Sequence, residues 1–295
     1  TMQIVKIDRP INYDEVAGQL LAKLEAARQE YPQDDAKIEI LKSRLAQIDA
    51  MNNVAKQYRP YYYVVVYEND ADQLLQQIDV VRRGLDKAGL TAYLLEAKDV
   101  AVFFKYCYTR NFDEREIDKI DPDGYTDYIK PDKVRFNSTS CVCDDVYSFT
   151  CAISDFPLGV GNAWGAGLFN IDNTKVVLTI KPVEKSKAVK RIDRAVVELE
   201  TRRGSGKISE AISQETHVQT MVNLAQSIQN ENELLFDCTL TVTGFNNTKE
   251  TNSAFKKEVR RRIMSNGFKA NFLRGRQFDG FAAATVSKKT ALRNF

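Results

Sequence analysis

Tyr61-Tyr62-Tyr63-Val64-Val65-Val66-Tyr67 is the longest apolar run in the chain, and its length decides the class of fold. It falls far short of the ~18 residues needed to cross a bilayer. It suits a buried strand of aromatic and β-branched side chains. The period then changes. Asp70, with Gln73 three positions on, has the pattern of a capping box. Leu74, Ile78, Val81 and Leu85 recur at helical spacing, and Gly89 stands where a helix C-terminus takes a left-handed residue. Leu90–Leu95 reads as a second strand and Val100–Tyr108 as a helix. Residues 60–108 therefore predict a β-α-β unit.

Working outward, residues 13–56 read as two helices that pack as a hairpin. Val16, Leu20, Leu24 and Ala27 share one face of the first, and Ile38, Leu41, Leu45 and Ile48 one face of the second. Pro32 separates them. Residues 109–132 are a polar, acidic connector with helix starts at Asp113 and Pro122. From Lys133 the pattern is that of a hairpin: Val134–Phe136, Cys141–Cys143 and Val146–Ile153, with Cys141 and Cys143 on one face. Residues 156–173 are rich in Gly and Asn, carry the only tryptophan, Trp164, and read as a mobile turn between subdomains. Beyond it come a strand at Lys175–Ile180, helices around Val189–Leu199 and Ser209–Asn230, and a strand at Leu234–Thr243. A helix marked by Phe255, Val259 and Ile263 follows, then a candidate strand at Phe268–Phe272 and an ordered edge at Phe281–Val286. The order β-α-α-β-α-β is ferredoxin-like with an extra helix.

The expected fold is α+β: ferredoxin-like β-α-β units in two subdomains preceded by a helical arm. The divisions fall at 1–57 (helical arm), 58–132 (small α/β subdomain and connector), 133–173 (hairpin and Gly-rich loop) and 174–295 (larger α/β subdomain).

Apolar residues at 43% and charged residues at 28% are those of an ordinary globular chain. The N-terminus shows no signal-peptide apolar region. Five cysteines without such a leader imply reduced thiols and a cytosolic setting. Net charge is only +2 but uneven. Residues 249–295 hold twelve Lys and Arg against three acids, or +9, which leaves −7 for the remainder. Such asymmetry fits an anionic partner or an acidic neighbour in an assembly.

Candidate chemistry is thin. Arg203-Gly204-Ser205-Gly206-Lys207 imitates a phosphate loop, but Ile208 replaces the hydroxyl residue, Thr201 the first glycine, and the flanks are helical. Gly159, Gly161, Gly165 and Gly167 miss the dinucleotide spacing. Cys141-x-Cys143 lacks a second ligand pair, and the one histidine, His217, has no readable carboxylate partner. Asp144-Asp145, Asp121 and Asp123 form no acid/base pair. What remains is Lys256-Lys257-Glu258-Val259-Arg260-Arg261-Arg262. On a helix, 256 with 260 and 257 with 261 are neighbours that repel. Phe255, Val259 and Ile263 then face inward and the charge faces out. Lys256, Lys257, Arg260, Arg261, Arg262 and Trp164 are the candidate partner or anion contacts. A solvated, merely solubilising face is the plainer account of the same run.

Several stretches resemble the N-terminal half of the TrbE/CagE-type ATPases of type IV secretion and conjugation systems. They are Tyr61–Val66 with Gly89-Leu90; Ile129-Lys130-Pro131-Asp132-Lys133-Val134-Arg135-Phe136; Ser154-Asp155-Phe156-Pro157 with Gly161-x-x-Trp164; Val177–Ile180 with Pro182; and Phe272-Leu273-x(3)-Gln277-x(3)-Phe281. The resemblance spans roughly residues 58–290 and carries no catalytic signature. It implies a non-catalytic assembly and docking domain, not an enzyme in itself. Such a domain links a motor to inner-membrane channel subunits and helps the parent ATPase self-associate. ATP and magnesium would belong to a motor domain whose motifs are absent from these residues, so no cofactor is expected in them. The implied place is cytoplasmic, peripheral on the inner face of the cell membrane, without an integral span. A DNA-transfer accessory protein that binds nucleic acid through the basic C-terminal segment is the alternative.

Overall fold

The computed structural model describes residues 1–295 except 31, 32, 34, 54–56, 111, 158–160, 202–207, 231, 232 and 286–295, and it leaves the side chains of 199, 200 and 208–217 undescribed. The chain runs β1 (Met2–Pro10), α1 (Asp14–Glu30), α2 (Asp35–Asn53), β2 (Tyr58–Val66), α3 (Ala71–Lys87) and α4 (Ala97–Tyr108). Two 3-10 turns, Glu114–Lys119 and Pro122–Gly124, lead to α5 (Tyr125–Ile129), β3 (Val134–Phe136), β4 (Cys141–Cys143) and β5 (Val146–Asp155). Then come α6 (Ala166–Phe169), β6 (Thr174–Pro182), α7 (Lys185–Thr201), α8 (Ile208–Asn230), β7 (Phe236–Asn246), α9 (Lys249–Ser265), β8 (Lys269–Asn271) and α10 (Gln277–Ala284).

The fold is α+β. Among the described residues, eight strands form one sheet in the order β2-β1-β6-β7-β5-β4-β3, with β8 added beside β5. Every pairing is antiparallel. Stretches 1–57, 58–132, 133–173 and 174–295 all contribute strands to this sheet. Two adjacent strand pairs are each joined by a helical hairpin: α1–α2 between β1 and β2, and α7–α8 between β6 and β7. Leu24, Ala27 and Leu41 form the small core of the first hairpin, as their spacing predicts. Its base is clamped, since Asn52 accepts from Tyr13 N (3.0 Å) and donates to Asp14 (3.0 Å).

Alternation sends the side chains of each strand to two faces with separate cores. One face carries Ile4, Phe149, Cys151, Val176, Leu178, Leu240 and Val242, covered by α6 and α9 through Leu168, Val259 and Ile263. Gly244 lies on this face, where an added Cβ would come within 2.7 Å of the Phe149 ring and 2.8 Å of Phe255. Only glycine fits there. The other face carries Val5, Ile7 and Val177 beneath Ala101, Val102, Phe103 and Tyr106 of α4.

Four expectations need correction. β1 was not anticipated, because Lys6 and Asp8 occupy inward positions and break the apolar alternation. Leu90–Leu95 is not a strand. No neighbouring strand pairs with it among the described residues, and Tyr93 (85%) and Leu94 (73%) lie exposed. The edge expected at Phe281–Val286 is, over Phe281–Ala284, the end of helix α10, and Ala283 and Ala284 are small enough for the helix to lie close on the sheet. Val286 falls outside the described residues. The second half of the Gly/Asn-rich stretch is anchored, since Leu168 and Ile171 are fully buried in the core. Other expectations hold. Val100–Tyr108 lies within helix α4, Asp70 accepts from Gln73 N (2.9 Å), and Gly89 takes φ +75°.

Candidate docking surface

The basic run lies on α9, which starts where Thr248 Oγ1 accepts from Thr251 N (3.2 Å). Val259 and Ile263 are wholly buried and Phe255 partly so, which leaves the charged positions on the outer side. The structure divides those charges in two. Arg261 and Arg262 both bind Glu258, at 2.8 and 2.9 Å. These contacts hold the Glu258 carboxyl down to about 2. Exposed pairs of this kind contribute little to stability.

Lys256 and Arg260 are placed differently. Both sit over the Phe272 ring, with the ammonium 5.3 Å and the guanidinium 4.6 Å from its centre. The negative face of an aromatic ring attracts each cation. Lys256 also donates to Thr139 O (3.4 Å) in the β3–β4 turn. Burial, with Arg260 and Arg274 close by, pushes the Lys256 amine below its usual range. The surface thus holds Lys256, Lys257, Arg260 and Arg274 as a positive group, beside a second group partly offset by Glu258.

Trp164 lies apart from this cluster. Its ring packs edge-on to Phe156 (5.7 Å) and tilted against Phe268 (6.0 Å), just past the C-terminus of α9. It is half-buried and seals the edge of the α9 core. Gly167 in the same turn lies tight against the Asn266 side chain, so this glycine serves packing and offers no phosphate cradle.

Phe272, Arg274 and Thr139 belong to the surface but are not among the contacts expected from the sequence, because they reach α9 from a strand exit and a hairpin turn. The stretch Phe272-Leu273-x(3)-Gln277 is read most directly as structure. Gln277 is buried, donates to Phe272 O (2.9 Å) and Leu273 O (3.2 Å), and accepts from Thr150 N (3.2 Å), which pins α10 to β5.

The remaining candidates do not converge. Arg203–Lys207, Gly159 and the His217 side chain lie outside what the structure describes. Cys141 and Cys143 are buried on β4. Among the described residues, no group of three or more His, Cys, Asp and Glu could hold a metal ion. Asp144 shapes the β4–β5 turn at φ +51° and accepts from Lys133 N (2.9 Å). Together with Asp145, Asp127 and Asp132 it lines a hollow of about 430 Å³ that also holds Lys105 and Lys130. Among the described residues no helix is long and apolar enough to cross a membrane. No protein-family profile matches the chain, and no curated protein matches it.

Proposed function

We propose that this chain is a non-catalytic assembly module that docks an acidic partner on the outer side of α9. The carrying observation is the pair Lys256 and Arg260, stacked on Phe272 beside Arg274 with burial already working against the Lys256 charge. Repelling cations cost free energy at this spacing, and an incoming carboxylate offsets that cost. The resemblance to the N-terminal half of the TrbE/CagE-type ATPases supplies the setting. In that reading the partner is an inner-membrane channel subunit of a conjugative type IV secretion system, at the cytoplasmic face. The motor, its ATP and its magnesium belong to the parent ATPase, which self-associates.

The test is binding of a labelled poly-glutamate probe by the whole chain and by the Lys256→Ala/Arg260→Ala double variant. Affinity should fall about tenfold, with thermal unfolding still cooperative. Equal affinity in both proteins contradicts the proposal. Tighter binding of duplex DNA than of poly-glutamate, with a steep salt dependence, favours the nucleic-acid reading in its place.

A further inference from the structure

Cys141 and Cys143 stand on the same side of β4 with their sulfurs 3.8 Å apart, at 2% and 1% exposure. We propose that they are a redox modification site, closing to a reversible disulfide along the strand when the chain meets a low-molecular-weight disulfide such as oxidised glutathione. Two positions apart on an extended strand, the α-carbons are separated by about 6.6 Å. That is just inside the upper limit of about 6.8 Å for a disulfide. Same-face β-carbons on an extended strand stand about as far apart, against about 4 Å in a disulfide, so closing the bond requires β4 to leave its extended form, and the resulting strain makes the bond easy to reduce.

The surroundings favour both access and direction. β4 has three residues and is paired on its outer side only by β3, another three, of which all are exposed. Opening this short edge brings the thiols to solvent. Cys143 is the attacking group: the hydrogen bond from Cys141 draws its thiol down, and the Lys175 ammonium adds to the effect. The same hydrogen bond pushes the Cys141 thiol up, which suits the resolving role. Burial pushes Cys107 up and Cys151 up to about 12, which leaves both unreactive.

The steps balance. The Cys143 thiolate attacks one sulfur of the small disulfide, and one thiolate leaves and takes up the proton that Cys143 released. Cys141 then loses its proton and attacks Cys143 Sγ, expelling the second small thiol. Two protein thiols are oxidised, and one small disulfide is reduced to two thiols.

The experiment treats the whole chain with oxidised glutathione, alkylates the thiols that remain, and maps the peptides by mass spectrometry. The peptide holding both residues should lose two hydrogens, resist alkylation, and recover both thiols on reduction. Cys141→Ser should stop at a single glutathione on Cys143. Cys143→Ser should react about tenfold more slowly than the wild type. The idea is overturned if, in the wild type, both residues stay alkylatable while exposed Cys238 takes up glutathione. It is equally overturned if the wild type holds glutathione on either thiol without closing the ring. Both of these readings come from the unsubstituted chain, so they hold even if a variant fails to fold.

Discussion

The two faces of the sheet bury charge in opposite ways. On the face that α6 and α9 cover, Lys6 lies against Asp8 and also donates to Ile171 O (2.7 Å) and Thr174 Oγ1 (3.2 Å), while Asp8 accepts from Thr174 N (3.0 Å). Burial pushes the Lys6 amine down and the Asp8 carboxyl up, and their contact opposes both shifts. Under α4, Lys175 donates to Cys107 O (3.0 Å), and burial pushes its amine down with no carboxylate among the causes that oppose it. Arg110, also buried, leaves Nε and Nη2 without partners among the described residues while its guanidinium lies over Phe245 at 3.8 Å. A charge on the first face is locked to a position by its partner. A charge on the second is tolerated amid threonines, thiols and aromatic rings.

The largest expected effect comes from breaking the paired face. Asp8→Asn leaves the Lys6 ammonium buried against a neutral amide and should cost about 3–5 kcal/mol by urea denaturation. A cost below about 1 kcal/mol would mean that Lys6 is already neutral there. Gly244→Ala comes next: its methyl group collides with Phe149 and Phe255 and should cost about 1–3 kcal/mol.

On the other face the sign reverses. Lys175→Met removes a poorly compensated charge and should stabilise the chain by on the order of 1 kcal/mol near neutral pH. The pH dependence follows from the lowered amine. Between the folded pKa and the ordinary 10.5, the unfolded chain binds the proton that the folded chain has lost. Stability therefore rises with pH through that window. Lys175→Met should flatten that rise, as measured by chemical denaturation across alkaline pH; an unchanged slope would show that Lys175 is not its source. The smallest effect is at the surface. Glu258→Gln frees Arg261 and Arg262, so poly-glutamate binding should tighten while the unfolding midpoint hardly moves; weaker binding would mean that Glu258 itself makes the contact.

Much of this was legible in the sequence and some was not, for physical reasons. The α+β class, the hairpin at Val134–Ile153 and the buried side of α9 follow from periodicity, which reports burial directly. β1 was hidden because its inward Lys6 and Asp8 satisfy each other, and an ion pair between neighbours along one strand leaves no trace in apolar spacing. Leu90–Leu95 has the composition of a strand, but a strand also needs a lateral partner, which composition does not supply. At the candidate surface the basic run was plain. Its division into a half offset by Glu258 and a half stacked on Phe272 was not, because Phe272, Arg274 and Thr139 arrive from other elements. Trp164 was expected as a partner contact, and its ring packs against Phe156 and Phe268 at the edge of the core.

The direct measurement is co-purification of the whole chain with the inner-membrane channel subunits of a conjugation system, wild type beside Lys256→Ala/Arg260→Ala, at low and at high salt. A docking role for α9 predicts recovery of channel subunits by the wild type, loss with the double variant, and loss at high salt. Equal recovery by both proteins would contradict it.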